Sequence, residues 1–118
     1  MIIPPNSYDA ALGLHAVFIE MVRPESVHLK LVLETYEGIA VVRNVEPDSG
    51  GNQVRQVLLI VGDFVSVAED VLGEFEIEVP LRLLEPTEAM REDLRRQLLG
   101  ELDEFRGCAK YATPIEIP

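Results

Sequence analysis

The stretch Arg23–Val45, RPESVHLKLVLETYEGIAVVRNV, decides the fold because its pattern is typical of a helix that leads directly into a strand. Pro24 has a fixed φ and no amide hydrogen, so the first turn of a helix accepts it at least cost. Glu25 then places a negative charge in that first turn, where it suits the helix dipole. Gly38 can adopt the left-handed conformation that ends a helix. The β-branched run at Ile39–Val42 favours a strand over further helix.

The predicted helix has two apolar sides. Its main apolar face recurs at intervals of three and four residues and contains Leu29, Val32, Leu33 and Tyr36. Val27 and Leu31 lie roughly opposite that face. We therefore expect the helix to have a second neighbour besides the core.

Composition restricts the classes of function. The 118 residues fit a single domain, 1–118, that is large enough to bury a core. A net charge of −11 repels phosphate backbones and anionic lipid surfaces, so we expect neither a nucleic acid nor a membrane as partner. Cys108 is the single cysteine, which excludes an intrachain disulfide. The N-terminus lacks the features of a signal peptide, and we expect a cytoplasmic protein.

Several further elements are predicted along the chain. Residues 1–11 form an N-terminal extended arm, and Leu12–Val22 forms a strand whose two apolar faces indicate a central position in a sheet. A hairpin follows, with strands at Ile39–Val45 and Val54–Val61. A short helix runs from an N-cap at Asp63 to Gly73. The alternation in FEIEVPLRLL then predicts a strand, and Pro80 places that strand at a sheet edge.

This order predicts an α+β fold with a ferredoxin-like βαββαβ core, a four-stranded antiparallel sheet, over residues 12–84. An additional C-terminal helix spans residues 86–106 and stops at Gly107, and an extended tail covers 107–118. The apolar second face of the sheet needs a cover. Either the C-terminal helix or a second subunit can supply it.

The segment Val22–Val45 resembles an ACT-type regulatory domain. Pro24 and Gly38 occupy places that match the helix start and the glycine before the second strand in that family, and Val27 matches an early aliphatic position. Arg23 and Glu25 depart from the acidic residue and the glycine that flank the family's proline. The resemblance implies a ferredoxin-like module that binds amino acids or other small ligands, often where two copies meet.

The segment ETYEGIAVVRNVEP also resembles a family of small uncharacterised bacterial proteins, which implies no chemistry.

No residue pattern indicates catalysis or a cofactor. Glu74, Glu76 and Glu78 share one predicted strand face at a spacing of about 7 Å, which is typical of a solvated edge rather than an ion site. His15 and His28 lie on different elements and have no ligand-spaced partner. We therefore expect no catalytic residues, no metal site and no cofactor.

The leading hypothesis is a non-catalytic, oligomeric small-molecule-binding or regulatory module. Its ligand, a small anion or an amino acid, would meet the loop formed by Arg23, Pro24, Glu25 and Ser26, since a cation beside a helix N-terminus suits a carboxylate. The alternative is a structural or protein-interaction protein that uses an apolar surface. We expect a homo-oligomeric interface to include Val27, Leu31, Val17 and Ile19.

Overall fold

The computed structural model describes residues 2–36, 39–45 and 50–112, with side chains as far as residue 100. Its strands are β1 (Tyr8–Asp9), β2 (Leu14–Val22), β3 (Ala40–Asn44), β4 (Gln53–Ile60) and β5 (Arg82–Leu83). Its α-helices are α1 (Arg23–Glu34), α2 (Val65–Glu78) and α3 (Glu88–Ala112). Short 3-10 helices precede β1 at Pro5–Ser7 and α2 at Gly62–Phe64. The fold is α+β, as predicted.

The strands form one antiparallel sheet with the order β1-β2-β4-β3, and β5 also pairs with β2. His15–Val22 of β2 pairs with Gln53–Ile60 of β4, and β3 lies on the outer side of β4. β1 and β5 pair with different parts of the other edge of β2. The predicted central position of β2 is therefore confirmed. The five-stranded order differs from the four-stranded ferredoxin-like sheet that the sequence predicts.

The hydrophobic core lies between α1, α2 and one face of the sheet. The most deeply buried members include Val17, Ile19 and Met21 of β2, Leu29 and Leu33 of α1, Leu58 and Ile60 of β4, and Ala68 and Leu72 of α2. The residues from β2 alternate along the strand and those from the helices recur at three and four, so each set shares one face of its element. The rings of His28 and Phe75, from α1 and α2, lie 5.3 Å apart in an edge-to-face arrangement.

The predicted start of α1 is confirmed, and its end comes earlier than predicted. Pro24 and Glu25 lie in the first turn, and the helix ends at Glu34. The Thr35 hydroxyl donates to the carbonyl oxygen of Val32 over 2.6 Å, and the Thr35 amide donates to the same oxygen over 3.2 Å, so both bonds lie at the helix end. Tyr36 follows the helix and is half exposed. The predicted stop at Gly38 lies outside the described residues.

The predicted strand at FEIEVPLRLL is wrong for most of its length. α2 continues through Gly73 to Glu78, and only Arg82–Leu83 pairs in the sheet. The sequence here fits both periods, because Ala68, Val71, Leu72 and Phe75 also share one helical face that is buried in the core. Ile77, in the last turn of α2, is 81% exposed. Pro80 lies between α2 and β5, and β5 does occupy the sheet edge.

The N-terminal residues also differ from the predicted extended arm. Pro5–Ser7 forms a 3-10 turn, and β1 pairs with the first residues of β2. Ile3 is buried in the core of the same chain. The Ser7 hydroxyl contacts the carbonyl oxygen of Pro4 at 2.7 Å and Nδ1 of His15 at 2.8 Å. These contacts fasten the segment to its own sheet.

The chain divides into two compact units, Met1–Glu85 and Pro86–Pro118. In the second unit, Thr87 Oγ1 accepts the amide hydrogen of Met90 and caps the start of α3. The helix continues past Gly107 to Ala112, which corrects both the predicted helix end and the extended tail at 107–112. A glycine costs a helix only about 1 kcal/mol relative to alanine, and the helix continues through it. None of the helices among the described residues is long and apolar enough to cross a membrane.

Candidate functional site

A cavity of about 390 Å³ lies where the first half of α1 packs against β3 and β4. Helix α1 contributes Arg23, Ser26, Val27 and Lys30, and the strands contribute Val42, Asn44, Val54 and Gln56. Sites for small molecules commonly have volumes of about 300–1,000 Å³. The cavity is therefore large enough to hold a small metabolite.

The helical wall of the cavity follows from the period of α1. Arg23, Ser26, Val27 and Lys30 recur at three and four residues, so they share one side of the helix. Arg23 donates from its backbone amide to the carbonyl oxygen of Asn52 over 2.7 Å. The Ser26 hydroxyl donates to the carbonyl oxygen of Arg23 over 2.6 Å and is buried. These bonds hold the start of α1 in place.

The strand wall combines apolar and amide side chains. Val54 and Gln56 are two residues apart on β4 and therefore point to the same side of the sheet. Asn44 of β3 lies directly opposite Gln56 in the strand register. Gln56 donates from Nε2 to Asn44 Oδ1 over 3.1 Å. The cavity thus has two amide groups beside buried Val42 and Val54.

Gln56 carries an unsatisfied acceptor. Its side chain is buried, with the residue only 4% exposed, and its Oε1 has no hydrogen-bond partner in the described part of the chain. A buried polar atom without a partner costs about 1–3 kcal/mol. Since nearly all such atoms in native proteins are satisfied, an exception calls for a donor from a water or from a bound molecule.

The described residues that line the cavity carry positive charge within an acidic chain. Arg23 and Lys30 contribute two cations, and no Asp or Glu is present among the described residues that line it. Lys30 is exposed and forms no ion pair with a described residue. The N-terminal turn of α1 adds the positive end of its dipole. Against a net charge of −11, this concentration of positive charge favours an anionic group.

The structure brings together only some of the residues predicted for the ligand site. Arg23 and Ser26 line the cavity. Pro24 and Glu25 lie in the same turn and are not among the lining residues. Glu25 Oε2 instead lies 3.3 Å from Nδ1 of His28 on the exposed side of the helix.

The four residues predicted for an interface lie in two different environments, one exposed and one buried. Val27 and Leu31 are 61% and 57% exposed on α1, and Val27 lines the cavity as well. Val17 and Ile19 are 1% and 0% exposed, so they belong to the core beneath the helices. This corrects the expectation that Val17 and Ile19 contribute to a surface.

Sequence reasoning missed Lys30 and the whole strand wall of the cavity. One signal was present: Gln56 is the polar member of the series Val54, Gln56, Leu58, Ile60, which alternates along a strand. A polar residue at an inward position needs a buried partner. The pairing of Gln56 with Asn44 depends on the register of β3 against β4, which the sequence pattern does not specify.

In the part of the chain that the structure describes, other chemistry-bearing groups form no comparable site. Among the described residues, no group of three or more His, Cys, Asp and Glu is placed to hold a metal ion. His15 is hydrogen-bonded to the Ser7 hydroxyl and makes an edge-to-face contact with the ring of Tyr8.

No protein-family model, curated protein or solved structure matches this chain. The chemistry of the cavity is therefore the basis for assigning a function.

Proposed function

We propose that this chain is a non-catalytic small-molecule-binding or regulatory module whose ligand occupies the cavity beside α1 and carries an anionic group. The observation that carries the proposal is the pair of cations, Arg23 and Lys30, at a cavity of ligand size. A carboxylate or phosphate there gains charge-assisted hydrogen bonds and the favourable end of the helix dipole. Val42 and Val54 offer apolar contact to the rest of the ligand.

The topology is compatible with a regulatory module. In the first unit, β5 and β3 flank the central pair β2 and β4, and α1 and α2 pack on one face. We propose that this core is a ferredoxin-like arrangement to which β1 adds a fifth, two-residue strand. The ACT-like features at Pro24 and Val27 support the same proposal. Fold alone identifies no ligand, since one fold supports many functions.

A thermal-shift screen of carboxylates, amino acids and nucleotides tests the binding proposal. We expect at least one anionic compound to raise the melting temperature, because a ligand that binds only the folded state stabilises it. The variant Lys30→Ala should reduce that shift. Arg96→Ala removes the same charge from an exposed residue of α3 and should leave the shift unchanged. No shift from any compound, or equal loss in both variants, contradicts the proposal.

Protein interaction is the second candidate function. The exposed Val27 and Leu31 on α1 favour it, since paired apolar side chains on a helix surface are typical of contact sites. A homo-oligomer that uses this surface should dissociate in Leu31→Glu, with a lower mass by light scattering. A monomer at all concentrations, with no partner captured, contradicts this candidate.

A further inference from the structure

We propose that Gln56 Oε1 determines ligand specificity: among small anions, the cavity selects those that carry a neutral O–H or N–H donor near the anionic group. This inference rests on the proposed function, since it requires an anion to bind in the cavity. It assigns a role to a residue that anion binding alone does not explain. The class it indicates is hydroxylated or amide-bearing anions, such as hydroxy acids and polyol phosphates.

The proposal begins from the hydrogen bonding of the Gln56 side chain. One end of its amide has a partner, because Nε2 donates to Asn44 Oδ1 over 3.1 Å. The other end, Oε1, is buried and has no partner among the described residues, although Gln56 lines the cavity. A ligand that supplies a donor would therefore satisfy an acceptor that residues 2–36, 39–45 and 50–100 leave unpaired.

The second step is access to the acceptor. Oε1 itself lies below the cavity surface. The terminal torsion of glutamine is an sp³–sp² bond with a broad energy profile, so the amide can turn toward a ligand without leaving its rotamer. Asn44, its present partner, is exposed and can bond water when the amide turns.

The third step is the charge of the donor. Arg23 and Lys30 both line the cavity, and a third positive charge within a few ångströms would be repelled. A hydroxyl or an amide N–H donates a hydrogen bond without adding charge. We therefore expect a neutral donor rather than an ammonium group to approach Gln56.

The fourth step is the size of the selection. A site built to hydrogen-bond a substrate hydroxyl rejects the analogue that lacks it, because the protein group is then left unpaired. For one neutral hydrogen bond to a buried acceptor, we expect a preference of about tenfold in affinity.

Calorimetric titration of matched pairs tests the inference. The pairs are L-malate and succinate, α-hydroxyisocaproate and isocaproate, and glycerol phosphate and propyl phosphate. The first two pairs test a hydroxy acid as the ligand, and the third pair tests a polyol phosphate. We expect the hydroxylated member of at least one pair to bind about tenfold more tightly. L-Leucine, the ammonium counterpart of α-hydroxyisocaproate, should bind more weakly than the hydroxy acid.

The variant Gln56→Met removes the acceptor at nearly constant volume, and the preference should fall below about twofold. Gln53→Met makes the same change at an exposed position of β4 outside the cavity and should keep the preference. Gln56→Leu provides a second variant if the first does not fold. If neither variant folds, the ratio of the two affinities within each pair, measured on the unmodified protein, tests the inference.

Three results overturn the inference. They are equal affinity within every pair, a preference that persists in Gln56→Met, and tighter binding of L-leucine than of its hydroxy counterpart. If the members of each pair bind equally and Lys30→Ala still weakens them, the inference fails and the proposed function stands. If none of the seven compounds binds up to about 1 mM, both proposals fail.

Discussion

Arg23 donates from its Nε to the carbonyl oxygen of Gly51 over 2.9 Å, and this bond joins the first residue of α1 to the segment that leads into β4. Arg23 is therefore both a wall of the cavity and a tie between two elements of the fold. A substitution at Arg23 changes binding and folding together. Lys30 lines the same cavity from an exposed position and allows the two effects to be separated.

The variant Lys30→Ala should weaken the binding of an anionic ligand by about 10- to 150-fold, because a hydrogen bond to a charged group contributes about 1.5–3 kcal/mol. Its free energy of unfolding should change by less than about 0.5 kcal/mol, as for an exposed residue. Arg23→Ala should lower both quantities. Titration calorimetry and urea denaturation measure them. A stability loss in Lys30→Ala as large as that in Arg23→Ala would contradict the distinction.

Two leucines on α1 provide a matched test of the core. Leu33 is 1% exposed, and Leu33→Ala should lower the free energy of unfolding by about 2–5 kcal/mol through lost burial and the cavity left behind. Leu31 is 57% exposed, and Leu31→Ala should cost less than about 1 kcal/mol. Urea denaturation at several protein concentrations measures both. A large, concentration-dependent loss in Leu31→Ala would instead show that Leu31 is buried between subunits.

Glu20 should stabilise the sheet through ion pairs that depend on salt. Its carboxylate lies 3.4 Å from Nε of Arg55 on β4 and 3.7 Å from a guanidinium nitrogen of Arg82 on β5. Both arginines are largely exposed, so Glu20→Gln should cost only up to about 1 kcal/mol. High salt should narrow the difference between the two proteins. The free energies of unfolding of the unmodified protein and of Glu20→Gln are measured by denaturation at low and at high ionic strength. A difference between the two proteins that is the same at both ionic strengths would contradict this assignment.

The same substitution at two glycines should have opposite effects. Gly13 has φ of +71°, and Gly13→Ala should destabilise the turn between β1 and β2 by about 1–2 kcal/mol. Gly100 lies inside α3, and Gly100→Ala should stabilise that helix by up to about 1 kcal/mol. At either position an added Cβ meets no atom within 4 Å, so backbone conformation alone decides the sign. Thermal denaturation followed by circular dichroism measures the stability of each variant relative to the unmodified protein. Equal effects would contradict this prediction.

Much of the fold follows from local signals in the sequence. Pro24 marks the start of α1, and apolar residues on both faces of β2 predict its central place. All four ends of the two hairpin strands also lie within one residue of their predicted limits. These elements have a single consistent period, so local preference and tertiary packing agree.

The largest error in the first unit occurs where two periods coexist. Phe75, Ile77 and Val79 alternate as a strand would, yet Phe75 also continues the buried helical series from Ala68, and packing of that series extends the helix. The sequence predicted part of the helical wall of the cavity and none of its strand wall. Arg23 and Ser26 are close in sequence, whereas Gln56 and Asn44 meet only through the pairing of β3 with β4. Contacts between distant residues depend on register, which local patterns do not determine.

The most direct test of the central claim, that this cavity binds a small anion, is a two-dimensional NMR titration of isotope-labelled protein with α-hydroxyisocaproate, L-malate and glycerol phosphate. We predict that at least one compound shifts amide signals concentrated at residues 23–30, 42–44 and 54–56, and that Lys30→Ala reduces the response. The absence of shifts, or shifts that avoid these three segments, would contradict the account.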